Sequence, residues 1–112
     1  MKAFKVFFYE GTEMPSGCKV SGGIGTVDDK QLRIESKERV VSVSVRALHR
    51  AEMYSRSGSM SVIRVVHDNG VLHVAVVRFL VAGRLALVNQ VATHRFKNLI
   101  EAMIPPSKRL GI

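Results

Sequence analysis

The sequence predicts a mainly β fold: a small antiparallel barrel or sandwich of about seven strands, capped by one C-terminal amphipathic helix. Three observations carry this. Short stretches rich in β-branched and aromatic residues recur from Ala3 to Val88, several of them alternating apolar with polar. Turn residues separate them, and Asn69-Gly70 is the clearest hairpin signal in the chain. After Val88 the period changes, and Ala92, Phe96, Leu99, Ile100 and Met103 recur at helical spacing. With 112 residues, 46% hydrophobic and 23% charged, the chain fits one folded domain. It divides into a barrel over 17–88, a capping helix over 90–104 and a short basic tail over 105–112 that carries Lys108 and Arg109.

Taken in order, "AFKVFFY" (Ala3 to Tyr9) is the first strand, and "EGTEMPSG" (Glu10 to Gly17) breaks it with Gly, Pro and Ser. "CKVSGGIGTV" (Cys18 to Val27) reads as a strand weakened and bent by glycine. "DDK" turns the chain. "QLRIES" (Gln31 to Ser36) then alternates, with Leu32 and Ile34 on one face. After the "KER" turn, "VVSVSVRAL" (Val40 to Leu48) sets Val41, Val43 and Val45 against Ser42, Ser44 and Arg46, and the extended run continues to Ser55. "RSGS" (Arg56 to Ser59) is the next turn.

"VIRVVHDNGVLHVAVV" (Val62 to Val77) is a hairpin. A two-residue Asn69-Gly70 loop pairs Asp68 with Val71 and gathers Ile63, Val65, Leu72, Val74 and Val76 on one apolar face. Its second face is mixed: Val62, Arg64, Val66, His73, Ala75 and Val77. "RLALV" (Arg84 to Val88) is a short strand, Asn89 a helix N-cap, and Pro105-Pro106 a stop. The core is expected from Leu32, Ile34, Val41, Val43, Val45, Ile63, Val65, Leu72, Val74 and Val76. Phe96, Leu99, Ile100 and Met103 close it from the helix.

Several functions lack a residue basis. No apolar run reaches the roughly 20 residues of a membrane helix, and the start of the chain does not read as a signal peptide. The single Cys18 has no internal disulfide partner and suits a reducing cytoplasm. His67 and His73 point to opposite faces of the hairpin, and neither His49 nor His94 has a ligand at metal spacing, so no metal site is expected. "GGIG" does not open a helix, no Gly-x-Ser-x-Gly elbow occurs, and Asp28-Asp29 reads as a turn. The chain is therefore expected not to be an enzyme and to need no cofactor.

The net charge is +8, and ten of the 17 basic residues are Arg, the better fork for phosphate. They are scattered along the chain. An anion surface, if built, falls on Arg46, Arg50, Arg56 and Arg64 of the middle strands. Nucleic acid competes on charge alone, but the sequence has no Trp, and Tyr54 between Arg50 and Arg56 is its one suggestive stacking residue.

The order of strands followed by one helix resembles a bacterial pleckstrin-homology-like or GRAM-type domain over Gly17 to Ile104. "GGIGTVDDKQLRIES" looks like the first hairpin of that family, with Gly23 and Gly25, then Asp28 and Asp29, then Leu32 and Ile34. "VVSVSVRALHRAEMY" resembles its next strand pair, and "VIRVVHDNGVLHVAVVRF" its later hairpin. The strand at Ala3 to Tyr9 is an addition to that pattern. The resemblance implies a binding module. Members that bind phosphoinositides cluster Lys and Arg at the first hairpin loop. Here that loop is "DDK", whose carboxylates repel phosphate. "RALHR" (Arg46, Arg50) followed by Ser55 and Gly58 is also similar to the cyclic di-GMP motif of PilZ domains, but Met53 stands where that motif has an acid or amide.

The expected function is thus a non-catalytic protein–protein or self-association module. Its interaction face would be Val62, Val66, His73 and Val77, or the apolar first strand, or an unpaired sheet edge. The alternative is an anion binder for acidic lipid, cyclic dinucleotide or nucleic acid.

Overall fold

The computed structural model describes residues 3–12, 20–55, 61–81 and 84–105. Cys18, Arg56 and the tail after Pro105 lie outside them. Seven antiparallel strands form a curled half-barrel sheet: β1 (Ala3–Glu10), β2 (Ser21–Val27), β3 (Gln31–Glu35), β4 (Val40–Ser44), β5 (Leu48–Ser55), β6 (Ser61–His67) and β7 (Gly70–Val81). β8 (Arg84–Val88) pairs with the far half of β7, and α1 (Gln90–Met103) follows. The sheet order is β4-β3-β2-β1-β7-β6-β5. Two meanders, β1 to β4 and β5 to β7, are joined by the ladder between β1 and β7.

That ladder changes the standing of the first strand. β1 is not an appendage. It sits mid-sheet, paired with β2 from Ala3↔Thr26 to Phe8↔Ser21 and with β7 from Val6↔Val76 to Glu10↔Leu72. Phe4, Val6, Phe7 and Phe8 are all buried, so both faces of the strand are covered from Val6 to Phe8, while Ala3 and Lys5 stay exposed. This explains why its apolar residues run together instead of alternating. It also overturns the expectation that this strand is exposed for an oligomer contact.

The main core lies on the concave face. Val6, Phe8, Leu32, Ile34, Val43, Ile63, Val65, Leu72, Val74 and Val76 meet Phe96, Ile100 and Ile104 there. Val41 and Met103 pack at its margin. Leu99, expected in the core, is 41% exposed, while Thr93 is fully buried. The buried stripe of the helix is Thr93, Phe96 and Ile100, a narrower face than the apolar spacing implied. Asn89 caps the helix as expected, its side chain accepting the Ala92 N–H at 3.0 Å. Thr93 binds the helix to the sheet. Its Oγ1 accepts the Val76 N–H at 3.0 Å and donates to the Asn89 carbonyl at 2.8 Å, and the Asn89 N–H donates to the Val76 carbonyl at 2.9 Å.

Phe96 stacks tilted against Phe4, with centroids 4.7 Å apart, and its ring lies over Gly25. A Cβ at Gly25 would come within 2.9 Å of that ring, so the glycine in β2 makes room for the helix.

Two turns differ from expectation. The run from Val40 to Ser55 is not one strand, because it turns at 45–47. No Gly, Pro or Asn marks this corner. It is held by backbone bonds from Val45 N–H to the Lys30 carbonyl (2.8 Å), Ala47 N–H to the Ser44 carbonyl (2.9 Å) and Asp68 N–H to the Ala47 carbonyl (3.0 Å). The β6–β7 loop is Asp68-Asn69, with His67 opposite Gly70, which takes φ +136°. The shift from the expected loop moves both strands together, so Ile63 faces Val74 and the apolar face is preserved.

Candidate functional site

The helix occupies one end of the half-barrel. Phe96 covers Phe4 near the start of β1, and the Gln90 side chain donates to the Ser61 carbonyl at the start of β6. The opposite end is an open mouth at the far ends of these strands. A cleft of about 510 Å³ lies there, lined by Glu10, Gln31, Arg39, the whole of β4, Ala47, His67 and Asn69. Its charged floor is a pair: Arg39 meets Glu10 at 2.6 Å and lies over the Phe8 ring, 5.4 Å from its centroid. His67 is half-buried at the hairpin tip, and burial holds its imidazole below the usual value, against the opposing fields of Glu10 and Asp68. His49 Nε2 lies 2.6 Å from Asp68 Oδ1, fixing the tip against β5.

One wall of this mouth is a sheet edge. β4 ends the strand order, and among the described residues no strand lies on its outer side. The register settles which backbone groups face outward. Ile34↔Val41 and Leu32↔Val43 are pairs of the same series as Ser36/Arg39 and Lys30/Val45. In those two, a backbone N–H to carbonyl bond closes at 2.9 Å and 2.8 Å. Antiparallel pairs alternate between hydrogen-bonded and non-bonded. Val41 and Val43 therefore spend their backbone groups on β3, while those of Val40 and Ser42 and the Ser44 N–H point away; the Ser44 carbonyl accepts the Ala47 N–H. The side chains of Val40, Ser42 and Ser44 are exposed, with Val40 at 50%.

The other end of the sheet, β5, is managed differently. It carries a register break between Leu48 and Arg50, bears His49, Arg50 and Glu52, and has the helix packed against it. Bulges, charges and covering elements are the devices that protect an edge. "VVSVS" has an unbroken register and no charge.

The residues singled out from sequence lie elsewhere. Val62, His73 and Val77 are buried, and Val66 is half-buried. This corrects the expected docking face. Val62 and Val77 form a second small core with Phe7, Val20 and Ala75, flanked by Tyr9 and Tyr54. The His73 ring lies within the same layer, 6.4 Å from the Tyr9 ring and 6.0 Å from the Tyr54 ring. The face looked too apolar for water because it is covered.

The arginines do not form one open cluster. Arg46 sits exposed in the β4–β5 corner, and Arg50 lies on β5, 3.7 Å from Glu52. Arg64 stands directly opposite Glu52, donates to the Thr12 carbonyl at 3.2 Å and lies 5.0 Å from the Tyr54 ring centroid. A carboxylate thus stands between Arg50 and Arg64 on their shared face. Arg56 is outside the described residues. In the "DDK" loop, the Asp28 carboxylate accepts the N–H groups of Lys30 (2.7 Å) and Gln31 (2.9 Å), which hold its pKa below the ordinary value. It shapes the turn.

Among the described residues no helix is long and apolar enough to cross a membrane, and no three His, Cys, Asp or Glu side chains gather as metal ligands. Comparison with protein-family models, with curated proteins and with solved structures finds no match to this chain.

Proposed function

We propose that this chain is a non-catalytic protein-interaction module of pleckstrin-homology-like type, working in the cytoplasm, that takes an extended segment of a partner along β4. One observation carries the reading: β4 is an uncharged, unbulged edge whose outward backbone groups border an open cleft. An added strand gains main-chain hydrogen bonds from Val40, Ser42 and the Ser44 N–H, and its alternate side chains can enter the mouth beside Val41 and the Arg39–Glu10 pair. The order of two meanders followed by a helix supports the family reading.

Ser42→Pro tests the docking edge. The Ser42 N–H points outward, so proline there spares the β3–β4 ladder and blocks strand addition. A displayed library of extended peptides, selected on the immobilised chain, should yield binders that lose at least about tenfold in affinity on Ser42→Pro, with amide shifts confined to β4 and the mouth. Equal binding to both proteins would overturn the reading. So would steeply salt-dependent binding of anionic vesicles or a cyclic dinucleotide with no peptide binding.

A further inference from the structure

We infer that His67 is a proton switch on the mouth. Neutral, its ring holds Asn69 and leaves Glu10 to Arg39; protonated, it releases Asn69 and competes with Arg39 for Glu10. A hydrogen bond carries the first half. The Asn69 N–H donates to His67 Nδ1 at 3.3 Å, so that nitrogen presents a lone pair and the ring proton sits on Nε2. A second proton has only Nδ1 to bind. It would set N–H against N–H, and the ring must then turn away from Asn69. The neighbouring residues confine the change. Asp68 is anchored through its N–H to the Ala47 carbonyl (3.0 Å) and through its carboxylate to His49 Nε2 (2.6 Å). That carboxylate accepts from His49 in either charge state of the His49 ring, so this anchor does not switch. Gly70, on the other side of Asn69, has φ +136° and open space where a Cβ would point, so the chain can yield there.

Charge supplies the second half. Glu10 of β1 and Asp68 of the tip attract a charged His67 ring, Glu10 the more strongly, while His49 of β5 opposes it and Arg39 lines the same cleft. Asp68 is engaged by His49, whereas Glu10 borders the cleft in its 2.6 Å pair with Arg39. A protonated His67 therefore makes two cations compete for one carboxylate. Among the described lining residues the charges of Arg39 and Glu10 cancel while His67 is neutral, and the proton on His67 leaves the mouth with one net positive charge. The switch needs no ligand. Its failure leaves the docking edge untouched, and failure of peptide binding leaves the switch untouched.

Nuclear magnetic resonance of the full chain, titrated without ligand from about pH 8 to about pH 5, tests this. At the alkaline end the ring nitrogens of His67 should report the Nε2–H tautomer. On acidification the Asn69 amide, the Arg39 Nε–H and the Glu10 side-chain carboxyl carbon should shift with the midpoint of the His67 ring. That midpoint should fall below the ordinary 6.5, because burial opposes the charged ring. His67→Gln does not titrate and should abolish all three shifts at that midpoint. Glu10→Gln should keep the Asn69 shift, move its midpoint lower and lose the Arg39 shift. The parent titration decides the matter even where a variant fails to fold. A ring proton on Nδ1 at about pH 8 would overturn the inference. So would an Asn69 amide or an Arg39–Glu10 pair indifferent to the His67 titration, or the same transitions persisting in His67→Gln.

Discussion

Replacing Gly25 by alanine tests whether the helix docks as described. The added Cβ would lie 2.9 Å and 3.2 Å from two atoms of the Phe96 ring and 3.4 Å from a Val6 methyl. Real Cβ atoms essentially never approach a neighbour at 2.9 Å, so the ring must move. It has little freedom to do so, since Phe96 is fully buried and stacked on Phe4. Overpacking of this kind costs about 1–3 kcal/mol. Alanine also restricts the unfolded chain, which returns about 0.4–1 kcal/mol. The net expectation is a loss of about 1–2 kcal/mol, or roughly 5–10 °C in Tm for a domain of this size. Urea and thermal unfolding followed by circular dichroism would measure it. The double variant Gly25→Ala with Phe96→Leu sharpens the test, because the smaller side chain gives the Cβ room. The alanine should then cost much less in the Phe96→Leu background than beside the native phenylalanine. Equal cost in both backgrounds, or no cost beside Phe96, would refute the claim that Gly25 is small on account of this ring.

Two further predictions concern the helix joint and the hairpin tip. Thr93→Val keeps the shape but leaves the buried Val76 N–H without its acceptor, so a loss of about 1–3 kcal/mol in urea unfolding is expected, most of it recovered by Thr93→Ser. His67 is held below its ordinary value of 6.5, chiefly by burial, with His49 acting in the same direction and Glu10 and Asp68 against it. The unfolded chain therefore takes the proton first. The His67 contribution is fully present above the unfolded pKa and is lost as pH falls through it toward the lower folded value. His67→Gln should flatten the decline of the urea midpoint between about pH 7.5 and pH 5. Parallel declines in the parent and the variant would show that His67 titrates alike in both states.

The legible parts of the fold were local. Alternation in "QLRIE", the apolar face of the 62–77 hairpin, the Asn89 cap and the change to helical period all depend on near neighbours, and all of them stand in the structure. What escaped is non-local or chemically silent. The corner at 45–47 uses Val, Arg and Ala, held by bonds to Lys30 and Asp68 that no turn residue announces. Thr93 reads as polar, yet it is buried because its hydroxyl meets the backbone of Val76 and Asn89. The edge position of β4 follows from the β1–β7 ladder, which sequence pattern cannot reveal. The consecutive apolar residues of "VFF" (Val6 to Phe8) were the one available hint that β1 is covered on both faces there. The interaction face drawn on Val62, His73 and Val77 failed for a related reason, since an apolar second face signals a cover as readily as a partner.

The β1–β7 ladder also governs how the chain must search for its fold. Within each meander, β1 to β4 and β5 to β7, the strands pair with their sequence neighbours, so each closes short loops at modest entropic cost. Between β1 and β7 the pairing of Val6 with Val76 and its neighbours, together with the seating of Phe96 on Phe4 and Gly25, joins distant parts of the chain. Those are also the contacts that bury Val6, Phe7 and Phe8. The steepest entropic step and the largest hydrophobic gain therefore coincide in one event, the meeting of the first strand with the seventh. Long-range pairing of this kind slows folding, and until it forms the aromatic first strand lacks its cover.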